Sequence, residues 1–102
     1  MVDRYTALLR AASRAYEVAE HYSLDKIAEE LLYLREAAAE VFNDFFFGSG
    51  RRAKRDYARV RARVERLLEE LVQLYGETVA EWELNELNQL MKALQQGGEA
   101  HG

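Results

Sequence analysis

The sequence contains no proline, and its six glycines fall in only three places. Glycine interrupts the middle of the chain at positions 48 and 50, recurs at position 76, and otherwise occurs only within the last six residues. Because proline and glycine are the residues that break helices most strongly, the segments between these points are expected to form long helices. No segment has the alternating pattern that predicts a strand.

Cysteine is also absent, which excludes a disulfide framework, a thiolate zinc site and a cysteine nucleophile. The absence is compatible with a reducing compartment. The N-terminus lacks the basic and apolar regions of a signal peptide, and no apolar run approaches the roughly 20 residues needed to span a membrane. We therefore expect a cytoplasmic protein without a membrane span.

Histidine is scarce, since only His21 and His101 are present. Di-metal sites in four-helix bundles combine carboxylates with two Glu-x-x-His motifs, a set that these histidines cannot supply. The segment Gly48-Ser49-Gly50 lacks the lysine of a phosphate-binding loop. Because no residue can be named as catalytic, we predict a non-enzymatic protein with no metal, no cofactor and no evident small-molecule substrate.

The chain has 102 residues, of which 49% are hydrophobic, and this suits a single folded domain. We expect the domain to cover 1–96 and a flexible tail to follow at 97–102. The net charge of −4 is unevenly distributed. Residues 51–66, which we call the basic band, carry eight basic and two acidic side chains, a net charge of +6, and the rest of the chain carries −10.

Apolar residues recur at spacings of three and four along four segments, which is the pattern of amphipathic helices. Ser23 is the expected N-cap of the second helix, and Gly76 is the expected C′ residue after the third. Thr78, with Glu81 three residues later, has the spacing of a capping box for the fourth helix. The predicted helices cover about 3–21, 24–47, 51–75 and 78–96.

The second and third helices are predicted to form an antiparallel hairpin. Pairing one apolar seam with the reverse of the other gives residue numbers that add to 101 or 102 throughout, as expected for two helices joined by a short turn. Glu40 then falls opposite Arg61, and Glu36 opposite Arg66 or Arg63. The two seams consist of Ile27, Leu31, Leu34, Ala38, Val41 and Phe45, and of Tyr57, Val60, Val64, Leu67, Leu71 and Leu74.

The outer segments continue the same relation, with Ala19 opposite Trp82 and Leu8 opposite Leu94. Two architectures fit. If the chain turns back at Ser23 and Gly76, it is an all-α antiparallel four-helix bundle built on the central hairpin. If it does not, two helices of about 45 residues form a long hairpin that dimerises into a four-helix bundle. We expect the first architecture, because both breaks carry suitable capping residues.

The predicted hairpin tip combines all four phenylalanines with the start of the basic band. Consecutive helical residues point about 100° apart, so Phe45, Phe46 and Phe47 cannot all face the core. One interpretation puts Phe42 and Phe45 in the core and folds Phe46 and Phe47 over the hairpin end as a plug against Tyr57. The other leaves Phe46 or Phe47 exposed as an anchor for a partner.

The basic band has three interpretations. Its arginines can pair with acidic residues of the neighbouring helix, or they can bind the phosphates of a nucleic acid while an aromatic ring stacks on a base. They can also bind an acidic protein or a membrane surface. We name Lys54 and Arg59 as candidate anion or nucleic-acid contacts. The predicted partner-binding residues are Phe46, Phe47, Arg51, Arg52 and Arg55.

These observations predict a helical protein–protein interaction or assembly module. We expect a homo-oligomer, most simply a homodimer, or a small subunit of a larger complex. The alternative function is nucleic-acid or nucleoprotein binding through the basic start of the third helix at 51–66.

Overall fold

A computed structural model describes residues 3–99, which form four helices. The bundle measures 40 × 25 × 18 Å, whereas a single 45-residue helix would extend about 68 Å. The predicted all-α four-helix architecture is therefore confirmed, and the alternative of two long helices is wrong, since the chain turns back at both breaks. The helices are α1 (Arg4–His21), α2 (Asp25–Phe47), α3 (Gly50–Leu74) and α4 (Glu81–Glu99).

Helix α1 contacts all three other helices, whereas α2 and α4 do not contact each other over the described residues. The buried face of α1 is rich in alanine, and small side chains allow neighbouring helix axes to approach closely. This composition explains how α1 can pack against α2 and α4 and also reach α3 across the bundle. The buried residues of α1 are Tyr5, Ala7, Leu8, Ala11, Ala12, Ala15, Val18 and Ala19.

Helix α1 begins at a well-formed N-cap. The Asp3 carboxylate accepts hydrogen bonds from the backbone N–H groups of Tyr5 and Thr6, at 3.0 and 2.9 Å. Partial burial would raise the pKa of Asp3, but the hydrogen bonds from Thr6 and Tyr5 outweigh it and lower that pKa. This cap fixes the start of α1 beside the hairpin tip, because Tyr5 contacts the tip directly.

The connection between α1 and α2 differs from its prediction. Ser23 has a left-handed backbone conformation, with φ at 57°, and lies in the turn instead of capping α2. The N-cap of α2 is Leu24, which supplies no side-chain hydrogen bond. The N–H groups of Ser23 and Leu24 donate instead to the carbonyls of Glu20 and Ala19, at 3.1 and 2.9 Å. The turn therefore closes the end of α1, and the predicted Ser23 cap is wrong.

The connection between α3 and α4 is longer than expected. The N–H groups of Thr78 and Val79 both donate to the Tyr75 carbonyl, at 3.0 and 2.9 Å, and Val79 is buried. Because of this turn, α4 begins only at Glu81, and the predicted Thr78 cap is wrong. Gly76 does follow the C-cap residue Tyr75, as predicted. A Cβ at Gly76 would lie only 2.8 Å from the carbonyl oxygen of Val72, which explains the need for glycine.

Helix α4 continues through Gly97 and Gly98 to Glu99, although its end was expected near residue 96. A helical glycine costs about 1 kcal/mol relative to alanine, which is too little to end a helix by itself. The rest of the predicted tail, residues 100–102, lies outside the described residues.

Ten of the twelve predicted seam residues of α2 and α3 are buried, and the exceptions are Phe45 and Leu74. Both exceptions lie at the ends of their seams: Leu74 is the last residue of α3, and Phe45 lies in the last turn of α2. A seam residue at a helix end has fewer neighbours to cover it, so the helical period alone overestimates its burial. The prediction that Phe45 belongs to the core is wrong.

The ion pairs predicted for Glu36 and Glu40 across the hairpin are wrong. Arg61 pairs with Glu65 on its own helix at 2.5 Å, and Arg66 pairs with Glu70 at 3.9 Å. Residues four apart on a helix are always within reach of each other, so these arginines need no partner on α2. Arg63 does cross the hairpin, but it binds Glu30 at 2.9 Å instead of Glu36.

Candidate functional site

The hairpin tip exposes three adjacent phenylalanines, Phe45, Phe46 and Phe47, which we call the aromatic tip. Their exposed fractions are 41%, 46% and 83%. Phe46 lies between its neighbours, with ring centroids 4.8 Å from Phe45, 6.4 Å from Phe47 and 4.6 Å from the partly buried Phe42. The rings therefore form one continuous aromatic surface, anchored at its base by Phe42.

Tyr5 of α1 covers the part of the hairpin that the phenylalanines were expected to plug. Its ring stacks on Phe45 at a centroid distance of 4.2 Å and meets Tyr57 edge-on at 5.4 Å. Because Tyr5 already covers Tyr57, Phe46 and Phe47 are left exposed, and the plug interpretation is wrong. The apolar spacing of α1 assigns Tyr5 to the core, and the predicted turn at Ser23 brings the start of α1 back towards the hairpin tip, but the sequence does not show that Tyr5 covers Tyr57.

The predicted basic residues lie on the first three turns of α3, which follows the aromatic tip after Gly48 and Ser49, and all of them are exposed. Arg52 lies 3.9 Å from Asp44, and Arg55 lies 3.1 Å from Asp56. The hydrogen bond from Arg55 lowers the pKa of Asp56. Among the described residues, Arg51 and Lys54 form no ion pair within 4.0 Å.

A hollow of about 520 Å³ lies beside the aromatic tip, where α1 meets the hairpin. The Arg4 guanidinium lies 5.2 Å from the Tyr5 ring centroid and 5.0 Å from that of Tyr57. The Tyr57 hydroxyl is buried and has no hydrogen-bond partner among the described residues. The hollow has an aromatic wall and two cationic side chains, and it is lined by Asp3, Arg4, Tyr5, Phe45 and Lys54.

Five arginines of the basic band form a stripe along the outer face of α3, because their spacings of three and four return to the same side of the helix. Their side chains are 57–76% exposed, and each lies within 4.0 Å of a carboxylate. Such exposed pairs contribute little to stability, so these arginines can exchange partners. We call this set, which includes the predicted Arg59, the arginine stripe: Arg52, Arg55, Arg59, Arg63 and Arg66.

The opposite end of the bundle carries a second cluster, in a groove of about 490 Å³ where the end of α1 meets the start of α4. Glu83 is only 6% exposed. Its carboxylate accepts a hydrogen bond from the Tyr22 hydroxyl, which in turn accepts one from the Ala80 N–H at 3.2 Å. We call this the far-end groove; it is lined by Arg14, Glu17, His21, Tyr22, Trp82 and Glu83.

Arg14 pairs with three carboxylates at this end of the bundle, two of which, Glu17 and Glu83, line the far-end groove. Its guanidinium lies 2.8 Å from Glu86, 3.3 Å from Glu17 and 3.8 Å from Glu83. The hydrogen bond to Glu86 raises the pKa of Arg14. With three carboxylates around one guanidinium, the cluster has a net charge of −2. Trp82, whose ring centroid is 5.8 Å from the guanidinium carbon, is 64% exposed.

Sequence reasoning missed the far-end groove. The residue pairing of the outer helices placed the start of α4 beside the end of α1, which is correct, since Tyr22 reaches Glu83 and Ala80. No spacing rule distinguishes Glu83 from its exposed neighbour Glu81, however, so the buried carboxylate could not be identified.

Within residues 3–99, no group of three or more acidic, histidine or cysteine side chains is arranged to hold a metal ion. None of the helices in the same range has the length and apolar character needed to cross a membrane. Comparisons with protein families, with curated proteins and with solved structures find no match to the chain.

Proposed function

We propose that the protein is a non-enzymatic interaction module that associates with other protein chains through its hairpin tip, as a homo-oligomer or as a small subunit of a larger complex. The observation that carries this proposal is the exposure of Phe46 and Phe47 side by side at the end of the bundle. Burying a phenylalanine side chain fully is worth about 1.5–3 kcal/mol, so a partner that covers both rings gains substantially.

The support beneath the aromatic tip favours binding. Phe46 is held between Phe42 and Phe45, and the stacking of Phe45 on Tyr5 ties the tip to α1. Only Gly48 and Ser49 connect α2 to α3, so the hairpin tip consists mainly of the ends of two packed helices. A surface that is already ordered loses little conformational entropy when a partner binds.

The charges around the aromatic tip indicate the chemistry of the partner. Arg51, Arg52 and Arg55 lie in the first two turns of α3, which follows the phenylalanines after only Gly48 and Ser49, and arginine near aromatic residues is the composition typical of binding hot spots. A complementary surface therefore has acidic side chains around an apolar or aromatic centre, and the charges raise the association rate and suppress wrong partners.

The test replaces the exposed rings. We expect the double variant Phe46→Ser/Phe47→Ser to fold with a thermal stability close to that of the wild type and to lose association with itself and with co-purifying protein subunits. The matched control is Tyr33→Ser, which removes an exposed ring from α2 away from the tip and should retain association. Association is measured by sedimentation velocity and by quantitative co-purification. Unchanged association of the double variant would reject the proposal.

Nucleic-acid binding is the second candidate, and the arginine stripe is the observation that favours it. A row of exposed guanidinium groups on one helix face can track a phosphate backbone. Against it, every arginine of the stripe already has a carboxylate within 4.0 Å.

Titration of labelled oligonucleotides at about 50 and 200 mM salt separates the two candidates. Nucleic-acid binding predicts affinity that falls steeply with salt and is lost in Arg51→Glu/Arg52→Glu/Arg55→Glu, with Arg10→Glu on α1 as the control outside the band. Flat titrations at low salt would reject this second candidate.

A further inference from the structure

The two ends of the bundle have opposite charge and a shared aromatic character. The hairpin tip and the N-terminal end of α1 lie together, as the contact of Tyr5 with Phe45 shows. The far-end groove lies at the C-terminal end of the same helix, where Tyr22 contacts Glu83. Helix α1 spans 18 residues, about 27 Å at 1.5 Å per residue, so one helix separates the two surfaces.

We infer that the protein assembles head to tail, with the hairpin tip of one copy bound in the far-end groove of a second copy. This inference rests on the proposed function of the tip as an interaction surface, and it names the partner as a second copy of this chain. It also assigns a binding role to the far-end groove.

The far-end groove has the chemistry to receive a cationic side chain. Arg14 neutralises only one of the three carboxylates that it contacts, and Glu17 has a 60% exposed side chain. The Trp82 ring beside it is largely exposed. An arginine or lysine that lies on an exposed indole next to an unneutralised carboxylate gains from both the ring and the charge.

The hairpin tip offers the matching groups. Arg51 and Lys54 form no ion pair within 4.0 Å among the described residues, so two positive charges at the tip are available to the Arg14 cluster, whose three carboxylates leave it a net charge of −2. Phe47 supplies the apolar contact, since it is the most exposed of the three rings at the tip. Tryptophan, phenylalanine and arginine would then meet at the centre of the interface, as they do in binding hot spots.

Charge also argues against a two-fold contact between two hairpin tips. Such a contact would place Arg51, Arg52 and Arg55 of both copies at one interface, and like charges brought together across an interface are unfavourable. A tip bound in a groove joins opposite charges. Because the two surfaces lie on different parts of the molecule, the contact is heterologous. A bound pair therefore keeps one free groove on one copy and one free tip on the other, so assembly continues into chains or closes into rings.

The test uses two variants that each disable one surface. The tip variant is Arg51→Glu/Phe47→Ser; both residues are exposed, and a glutamate in the first turn of α3 is favourable for the helix. The groove variant is Glu17→Lys/Trp82→Ser, which changes exposed residues and keeps the hydrogen bond between Tyr22 and Glu83. A matched control, Glu29→Lys/Tyr33→Ser, makes the same kinds of change on α2.

Sedimentation velocity over a range of concentrations and circular dichroism provide the readouts. We expect wild type and control to grow beyond two chains as concentration rises, and to dissociate at 500 mM salt. Each disabled variant should fold normally and self-associate at least tenfold more weakly. An equimolar mixture of the tip and groove variants should form a complex that stops at two chains, because only one intact tip and one intact groove remain.

Each contrary result has a distinct meaning. If the groove variant associates like the wild type while the tip variant does not, head-to-tail assembly is wrong and the proposed function of the tip stands. If the tip variant also associates like the wild type, both are wrong. A wild type that stays monomeric up to about 1 mM, or a mixture of variants that does not associate, overturns the inference, and the proposed function then depends on the co-purification experiment alone.

Discussion

The Tyr22 hydroxyl donates a hydrogen bond to the buried Glu83 carboxylate and thereby joins the end of α1 to the first turn of α4. The same hydroxyl accepts a hydrogen bond from the Ala80 N–H, just before α4 begins. The bond to Glu83 raises the pKa of Tyr22, since ionising the hydroxyl would place two negative charges together. One side chain thus satisfies a buried carboxylate and a backbone donor at the place where the two terminal helices meet.

Removing this hydroxyl should destabilise the bundle. In Tyr22→Phe, Glu83 loses a donor and the Ala80 N–H loses its acceptor, and buried groups without partners are costly. We expect the melting temperature to fall by about 5 °C or more in a domain of this size. Tyr33→Phe is the control, because Tyr33 is exposed. A melting temperature within 1 °C of the wild type would mean that water replaces the hydroxyl.

In contrast to Tyr22, Tyr57 has a buried hydroxyl with no hydrogen-bond partner among the described residues. Replacing it with phenylalanine removes an unsatisfied group and keeps the ring that Tyr5 covers. We expect Tyr57→Phe to match the wild type or to exceed it by about 1 kcal/mol in the free energy of unfolding at pH 7, measured by urea denaturation. A loss of more than 1 kcal/mol would show that the hydroxyl has a partner.

The same substitution should change the response to alkali. Burial raises the pKa of Tyr57, although the positive charges of Arg61 and Arg4 oppose the shift. An unfolded tyrosine ionises near pH 10, below the pKa of Tyr57 in the folded protein. The neutral Tyr57 therefore contributes stability that is fully present below pH 10 and is lost as the pH rises through the higher pKa of the folded protein. Tyr57→Phe should therefore lose less stability than the wild type between pH 9 and about pH 11. Parallel curves for the two proteins would contradict the assignment.

The sequence was sufficient to predict the buried faces of the central hairpin, because spacings of three and four determine which side of a helix faces its neighbour. The predictions that failed concern capping and ion pairs, which the apolar spacing does not determine. Ser23 is a residue type that favours the N-cap position, but it adopts a left-handed conformation in the turn that ends α1. Arg61 pairs with Glu65 one turn away on the same helix. In both cases a contact within the same helix or at its end forms in place of the predicted one.

The candidate site was likewise predicted only in part. Exposure of Phe46 and Phe47 was one of two interpretations that the sequence allowed, and the choice between them depended on Tyr5, which stacks on Phe45, 40 residues away in the chain. The burial of Glu83 depends on Tyr22, which is 61 residues away. Contacts of this kind follow from how whole helices pack, so no local pattern could have predicted them.

Gly76 and Gly50 provide a matched pair that tests how glycine acts in this fold. A Cβ at Gly76 would lie 2.8 Å from the Val72 carbonyl oxygen, whereas one at Gly50 would meet nothing within 4 Å. Neither glycine has a positive φ, so alanine is not excluded by backbone conformation at either position.

Gly76→Ala should lower the free energy of unfolding by about 1–3 kcal/mol, because the clash is with backbone and a helix end must shift. Gly50→Ala should raise it by about 0.4–1 kcal/mol, because alanine restricts the unfolded chain and favours the first turn of α3. Urea denaturation measures both changes. If both substitutions stabilised the protein equally, the turn after α3 would have room for a side chain, and the close approach of Gly76 to Val72 would not explain the need for glycine.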